Sequence, residues 1–93
     1  MKKIKGMTST GFSFEIDEEA RDDMEILERL IDMSRGDLTA IPDVLIGLLG
    51  TEQKKALYEH CRGKSGRVPS KAVLAEVQSI FENTKAGESA TKN

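Results

Sequence analysis

Apolar positions recur at helical spacing along most of the chain, and one stretch departs from that pattern by being apolar nearly all round. In Ile41-Pro42-Asp43-Val44-Leu45-Ile46-Gly47-Leu48-Leu49-Gly50 only Asp43 is charged. Proline near its start and glycine just past its end mark the boundaries of a helix over residues 42–49. A helix greasy on every side is either the centre of a core or a surface awaiting a partner. Eight residues are too few to be helical alone, so tertiary contacts must hold them. Gly47 costs about 1 kcal/mol against alanine inside a helix, which implies that some backbone packs close there.

Before this stretch, Phe12, Phe14 and Ile16 alternate with Ser13 and Glu15, the period-two sign of a half-buried strand. Residues 2–5 can pair with it through a turn region at 6–11, as a hairpin; the pattern is equally compatible with a single strand. A lone hairpin is marginal, so its apolar face must lie on helices or on another copy. An unpaired edge invites a further strand, which makes Phe12, Phe14 and Ile16 the expected oligomerisation residues. Asp17 then reads as the N-cap of a first helix, with Glu18 and Glu19 in the turn where the helix dipole favours negative charge. Ala20, Met24, Leu27 and Ile31 form its stripe, broadened by Leu30, and Gly36 stops it after Ser34.

Thr51 caps a third helix directly after Gly50, making a tight corner. Ala56, Leu57 and Cys61 are its apolar positions, with Tyr58 and His60 beside them. A polar loop at 63–66 leads to Val68-Pro69, which opens a last helix striped by Val73, Val77, Ile80 and Phe81 and widened by Leu74. The expected architecture is therefore mainly α: a small single domain of about four short helices with a short extended or β N-terminal element. Its parts are an arm at 1–16, a helical domain at 17–83 and a disordered tail at 84–93.

Composition narrows the class. Of the 93 residues, 38% are hydrophobic and 32% charged, which fits one soluble globular domain. No apolar run approaches the roughly 20 residues that span a bilayer. Lys2, Lys3 and Lys5 lack the apolar run of a signal peptide, and the lone Cys61 fits a reducing interior, so a cytoplasmic location is expected. The net charge of −2 conceals a division. Residues 15–32 hold nine carboxylates against Arg21 and Arg29, whereas residues 52–71 hold six basic groups against Glu52 and Glu59. Opposed fields of this kind can steer partners or sister subunits together, although two solvated helix faces look the same in sequence.

Little chemistry is legible. His60 and Cys61 are helix neighbours that point apart, and no second histidine or cysteine completes a metal site. The carboxylates of 15–32 lack the spacing of a calcium loop, and no glycine pair matches a phosphate-binding loop. Neither a catalytic constellation nor a cofactor site is expected. Arg62-Gly63-Lys64-Ser65-Gly66-Arg67 can touch phosphate, which makes a small helical nucleic-acid-binding or regulatory protein using residues 54–71 the alternative. The absence of an aromatic for stacking and the acidic net charge argue against nucleic acid.

Three stretches taken together carry a resemblance: Gly36-Asp37-Leu38-Thr39-Ala40-Ile41-Pro42, Leu48-Leu49-Gly50-Thr51-Glu52-Gln53 and Gly66-Arg67-Val68-Pro69-Ser70-Lys71-Ala72, followed by Ile80-Phe81-Glu82. Over about residues 12–83 the chain resembles the small tail assembly chaperones of long-tailed bacteriophages, in their short, pre-frameshift form. The resemblance implies a non-enzymatic protein of the host cytoplasm, absent from the mature virion. It implies binding to the long helical tape measure protein while tail tube subunits assemble, with the major tail tube protein recruited through a longer frameshifted product. A chaperone for helices needs an apolar groove. Leu45, Ile46, Leu49, Val77 and Phe81 are the expected partner-binding residues, although core burial is the favoured reading of each position taken singly. A homo-oligomer is expected, and no membrane partner.

Overall fold

The computed structural model describes residues 2–92, with side-chain surroundings through Thr84. The N-terminal arm is a hairpin. β1 (Lys3–Met7) pairs antiparallel with β2 (Ser13–Asp17), Ile4 opposite Ile16 and Gly6 opposite Phe14. Thr8 closes the turn, its amide donating to the Phe12 carbonyl (2.9 Å) and its hydroxyl accepting from the Phe12 amide (3.1 Å). Gly6 leaves room for the Phe14 ring, whose tip lies 2.7 Å from where a Cβ would stand. Phe12, Phe14 and Ile16 are buried against the helices, as period two requires.

Asp17 ends β2 and caps the next element, its carboxylate accepting from the Glu19 amide (3.2 Å). The single helix expected to Ser34 is two: α1 (Glu18–Arg21) and α2 (Met24–Ser34). The break falls at Asp22 and Asp23. Asp23 adopts an extended conformation and caps α2 by accepting from the Glu25 amide (2.8 Å). Aspartates compete with helical hydrogen bonding through such local bonds, so consecutive ones favour a restart. The restart also corrects the expected stripe. Ile26 and Met33 are buried with Leu30 half-buried between them, while Met24 and Ile31 point outward.

Gly36 ends α2 with φ near +99°. Its amide donates to Met33 (3.0 Å) and the Asp37 amide to Asp32 (3.0 Å), the paired bonds of a Schellman cap. α3 (Ala40–Cys61) begins two residues before the expected start at Pro42. Pro42 lies in its first turn, where the missing N–H costs nothing. The expected corner is present inside α3: Gly50 has φ +79° and ψ 169° and separates two helical arms, 40–49 and 51–61. A loop then leads to α4 (Ser70–Lys92).

The first arm of α3 is the centre of the core. Ile41, Val44, Leu45, Leu48 and Leu49 are buried against α2, β2 and α4, together with Leu57, Val73, Val77 and Ile80. At roughly 1.5–3 kcal/mol per large apolar side chain, this cluster is the main source of stability. Asn83 and Thr84 continue α4, and Thr84 is buried with its hydroxyl donating to the Phe81 carbonyl (2.8 Å). The rest of the tail expected at 84–93 lies outside the residues whose surroundings are described. Among the described residues, no helix is long and apolar enough to cross a membrane.

Candidate partner-binding surface

Burial separates the expected contact residues. Leu45, Leu49 and Val77 are packed inside the core and present no surface to a partner in this fold. Phe81 is half-buried against the same cluster. Ile46 is 48% exposed. The close approach expected at Gly47 exists, but a side chain makes it: Ile26 Cδ1 and Cγ1 of α2 stand 2.9 Å from where a Cβ would be. That space belongs to the α2–α3 contact, so no further helix can enter it.

The oligomerisation residues are corrected too. Phe12, Phe14 and Ile16 are spent on the chain's own core. The outer edge of β2 is also closed at its middle, where the Gln53 side-chain amide acts as a strand would. Its Oε1 accepts from the Glu15 amide (2.8 Å), and its Nε2 donates to the Glu15 carbonyl (2.6 Å). The same nitrogen donates to the Leu49 carbonyl (2.9 Å), tying the hairpin to the Gly50 corner. An occupied edge is a poor template for another strand.

The surface that sequence reasoning missed lies between the start of α3, its second arm and the start of α4. Leu38, Pro42, Tyr58 and Val68 wall an apolar groove of about 230 Å³, with Ile41 and Val73 at its base. Leu38 is 49% exposed and so lies open to a partner. Ile46 stands one helical turn beyond Pro42. The groove is invisible to periodicity because its walls come from a turn, two helices and a loop. Its electrostatic border is positive. The Lys54 ammonium lies 5.4 Å from the Tyr58 ring centroid. The amides opening α4 have no intrahelical acceptor, Pro69 offers them no capping side chain, and no acidic residue occupies the first turn. The Asp37 carboxylate, beside Leu38, is turned back onto the Thr39 amide (3.1 Å).

A polar cluster pins the hairpin turn to the helices elsewhere. The Thr10 hydroxyl donates to Glu76 Oε2 (2.6 Å), which leaves it an acceptor for His60 Nε2 (2.9 Å) and assigns the proton to that nitrogen. The His60 ring also lies against Phe12, centroids 5.5 Å apart. The Ser9 amide donates to Ser79 Oγ (3.0 Å). Glu76 is only 3% exposed, and its second oxygen has no partner. Cys61 is half-buried in the neighbourhood, and its thiol is pushed up from the ordinary range by burial first and by the Glu76 charge second. A pKa raised by folding contributes stability that is complete below the ordinary thiol value, roughly 8.5, and is lost as pH rises through the folded value. The wild-type melting temperature should therefore fall more steeply than that of Cys61→Ala between neutral and alkaline pH. Thermal unfolding followed by circular dichroism checks this, and parallel declines would refute it.

The basic segment is partly committed. Arg62 bonds Glu59 Oε2 (2.6 Å) and the Gly66 carbonyl (2.6 Å), and this partner holds the Glu59 carboxyl below its usual range. Among the described residues, no three His, Cys, Asp or Glu side chains converge to hold a metal ion. Comparison with protein-family models, curated proteins and solved structures finds no match to this chain.

Proposed function

We propose that the chain is a non-catalytic assembly chaperone that binds a long helical client, the tape measure protein of a phage tail, in the host cytoplasm. The apolar groove walled by Leu38, Pro42, Tyr58 and Val68 is the observation that carries this reading. An amphipathic helix seats its apolar residues in such a groove and is kept soluble by it. The three stretches that carry the resemblance are corners of the fold. Gly36, Gly50 and Gly66, one in each of the three stretches, all have positive φ and turn the chain at a corner. The first and third corners are followed by Leu38 and Val68, which form walls of the groove, and Gln53 of the second locks the hairpin against α3. Recruitment of the tail tube protein by a frameshifted longer product belongs to the same proposal.

Co-expression with a tape measure protein tests it. Leu38→Asp places a charge on an exposed groove wall, so the fold should survive and client co-purification should fall by at least tenfold, about 1.4 kcal/mol. Ile46→Asp tests whether the contact extends one turn along α3. Undiminished capture by a folded Leu38→Asp protein would remove the groove from the proposal. A salt-dependent shift of a DNA fragment would instead favour the basic segment as the working surface.

A further inference from the structure

The charges around the apolar groove are unevenly placed. Beside the Leu38 and Pro42 walls the carboxylates are already engaged. Asp37 accepts from the Thr39 amide (3.1 Å), and Asp43 lies 3.7 Å from the Arg29 guanidinium. Arg35, the nearest charged residue before Asp37, is itself basic. Glu59, next to Tyr58, is held by Arg62 (2.6 Å). Three further cations are not committed in this way. Lys54 stands one turn before Tyr58, its ammonium 5.4 Å from the ring centroid. Arg67 precedes Val68, and Lys71 follows Ser70, which also lines the groove; both are exposed. Among the described residues, no carboxylate stands within ion-pair distance of Lys54, Arg67 or Lys71. The whole chain has a net charge of −2, so attraction for carboxylates here is a property of the border alone.

We propose that the groove takes an amphipathic helix whose apolar stripe is bordered by aspartates or glutamates. This rests on the groove reading above and adds to it the charge pattern of the client. An apolar cavity of about 150 Å³ accepts a benzene-sized group, so about 230 Å³ seats at least one large side chain of the stripe. Carboxylates flanking that anchor on the client helix then come toward Lys54, Arg67 and Lys71, as charges flanking an apolar seam do between paired helices. Lys54 is already placed for this. It is half-buried with its ammonium in cation–π range of Tyr58, so little side-chain freedom remains to be lost when a carboxylate arrives. A helix bordered by lysines meets like charge at the same three groups and is rejected. Phosphate is the other anion that such a border attracts. The base of the groove is apolar, however, at Ile41 and Val73, and a phosphate backbone would leave it uncovered.

Fluorescence anisotropy of labelled helical peptides titrated with the full chain tests it. Three peptides share one leucine stripe at i, i+3, i+4 and i+7. The first borders the stripe with glutamates, the second borders it with lysines, and the third carries its glutamates on the far face. At low salt the border-glutamate peptide should bind about tenfold tighter than the lysine peptide, mostly through a faster on-rate, and about threefold tighter than the far-face peptide. Both gaps should close near 1 M salt, where the Debye length is about 3 Å. Lys54→Glu combined with Lys71→Glu should reverse the order of the first two peptides. Glutamate at 71 falls in the first turn of α4, where the helix dipole favours it, and circular dichroism should show an intact fold. Equal affinity for all three peptides would overturn the proposal and leave the groove reading standing. Binding of none of them, or undiminished binding by Leu38→Asp, would remove the groove and the proposal with it. Displacement of the bound peptide by a DNA oligonucleotide at the same salt would assign the border to phosphate and overturn the proposal.

Discussion

Truncating Leu57 to alanine is expected to lower stability by about 2–5 kcal/mol, the range for emptying a fully buried leucine site. Leu57 is completely buried on the second arm of α3, where the chain returns across the core after the Gly50 corner. A domain of this size is stable by only about 5–14 kcal/mol in total. One cavity at this place therefore removes a large share of it, and the melting temperature should drop on the order of 10–30 °C. Alanine at the exposed Ile46 should change stability by about 0.5 kcal/mol or less. Urea unfolding of the two variants, followed by circular dichroism, measures both. A Leu57→Ala loss below about 1 kcal/mol would show that the second arm is not seated as described.

Gly50→Ala should cost about 1–3 kcal/mol for a different reason. No atom lies within 4 Å of the Cβ that alanine would add, so crowding contributes nothing. The cost lies in the backbone, since φ +79° with ψ 169° is a region that side-chain-bearing residues hardly populate. Gly47→Ala separates this mechanism from steric conflict. Gly47 is not among the positive-φ glycines, but its new methyl would meet Ile26 at 2.9 Å. Shortening Ile26 to valine or alanine should partly relieve Gly47→Ala and should not relieve Gly50→Ala. Double-mutant cycles by chemical denaturation give the two coupling energies. Equal coupling of Ile26 to both glycines would contradict this division.

How far the sequence reaches depends on whether a feature is built from one segment or several. The choice of a hairpin over a single strand came from the pairing with Lys3–Met7. The strand at Ser13–Asp17, the Asp17 cap, the Gly36 stop, the Gly50 corner and the placement of Val73, Val77 and Ile80 all follow from period, caps and glycines within short windows. So does the mainly helical architecture with its N-terminal strands. The break inside the acidic helix was within reach, because the consecutive aspartates at 22 and 23 form a cap signal as strong as Asp17. A continuous stripe through Met24 and Ile31 competed with it, and the capping bond prevailed.

The surface depended on tertiary structure. Leu45, Ile46 and Leu49 are equally apolar in sequence, yet two are core and one is exposed, because α2 and α4 cover only part of the α3 circumference. Gln53 reads as one more polar residue on a helix until the fold brings Glu15 within 2.6 Å of it. The walls of the groove are separated by up to 30 positions, from Leu38 to Val68, and no local pattern joins them. The residues alone thus determined the mainly helical pattern, the period-two strand before Asp17 and the corners, since these answer to backbone hydrogen bonding and φ preference over a few positions. Only the packed structure decided which apolar side chains became core and which remained exposed, because that choice depends on what each helix face meets across the chain.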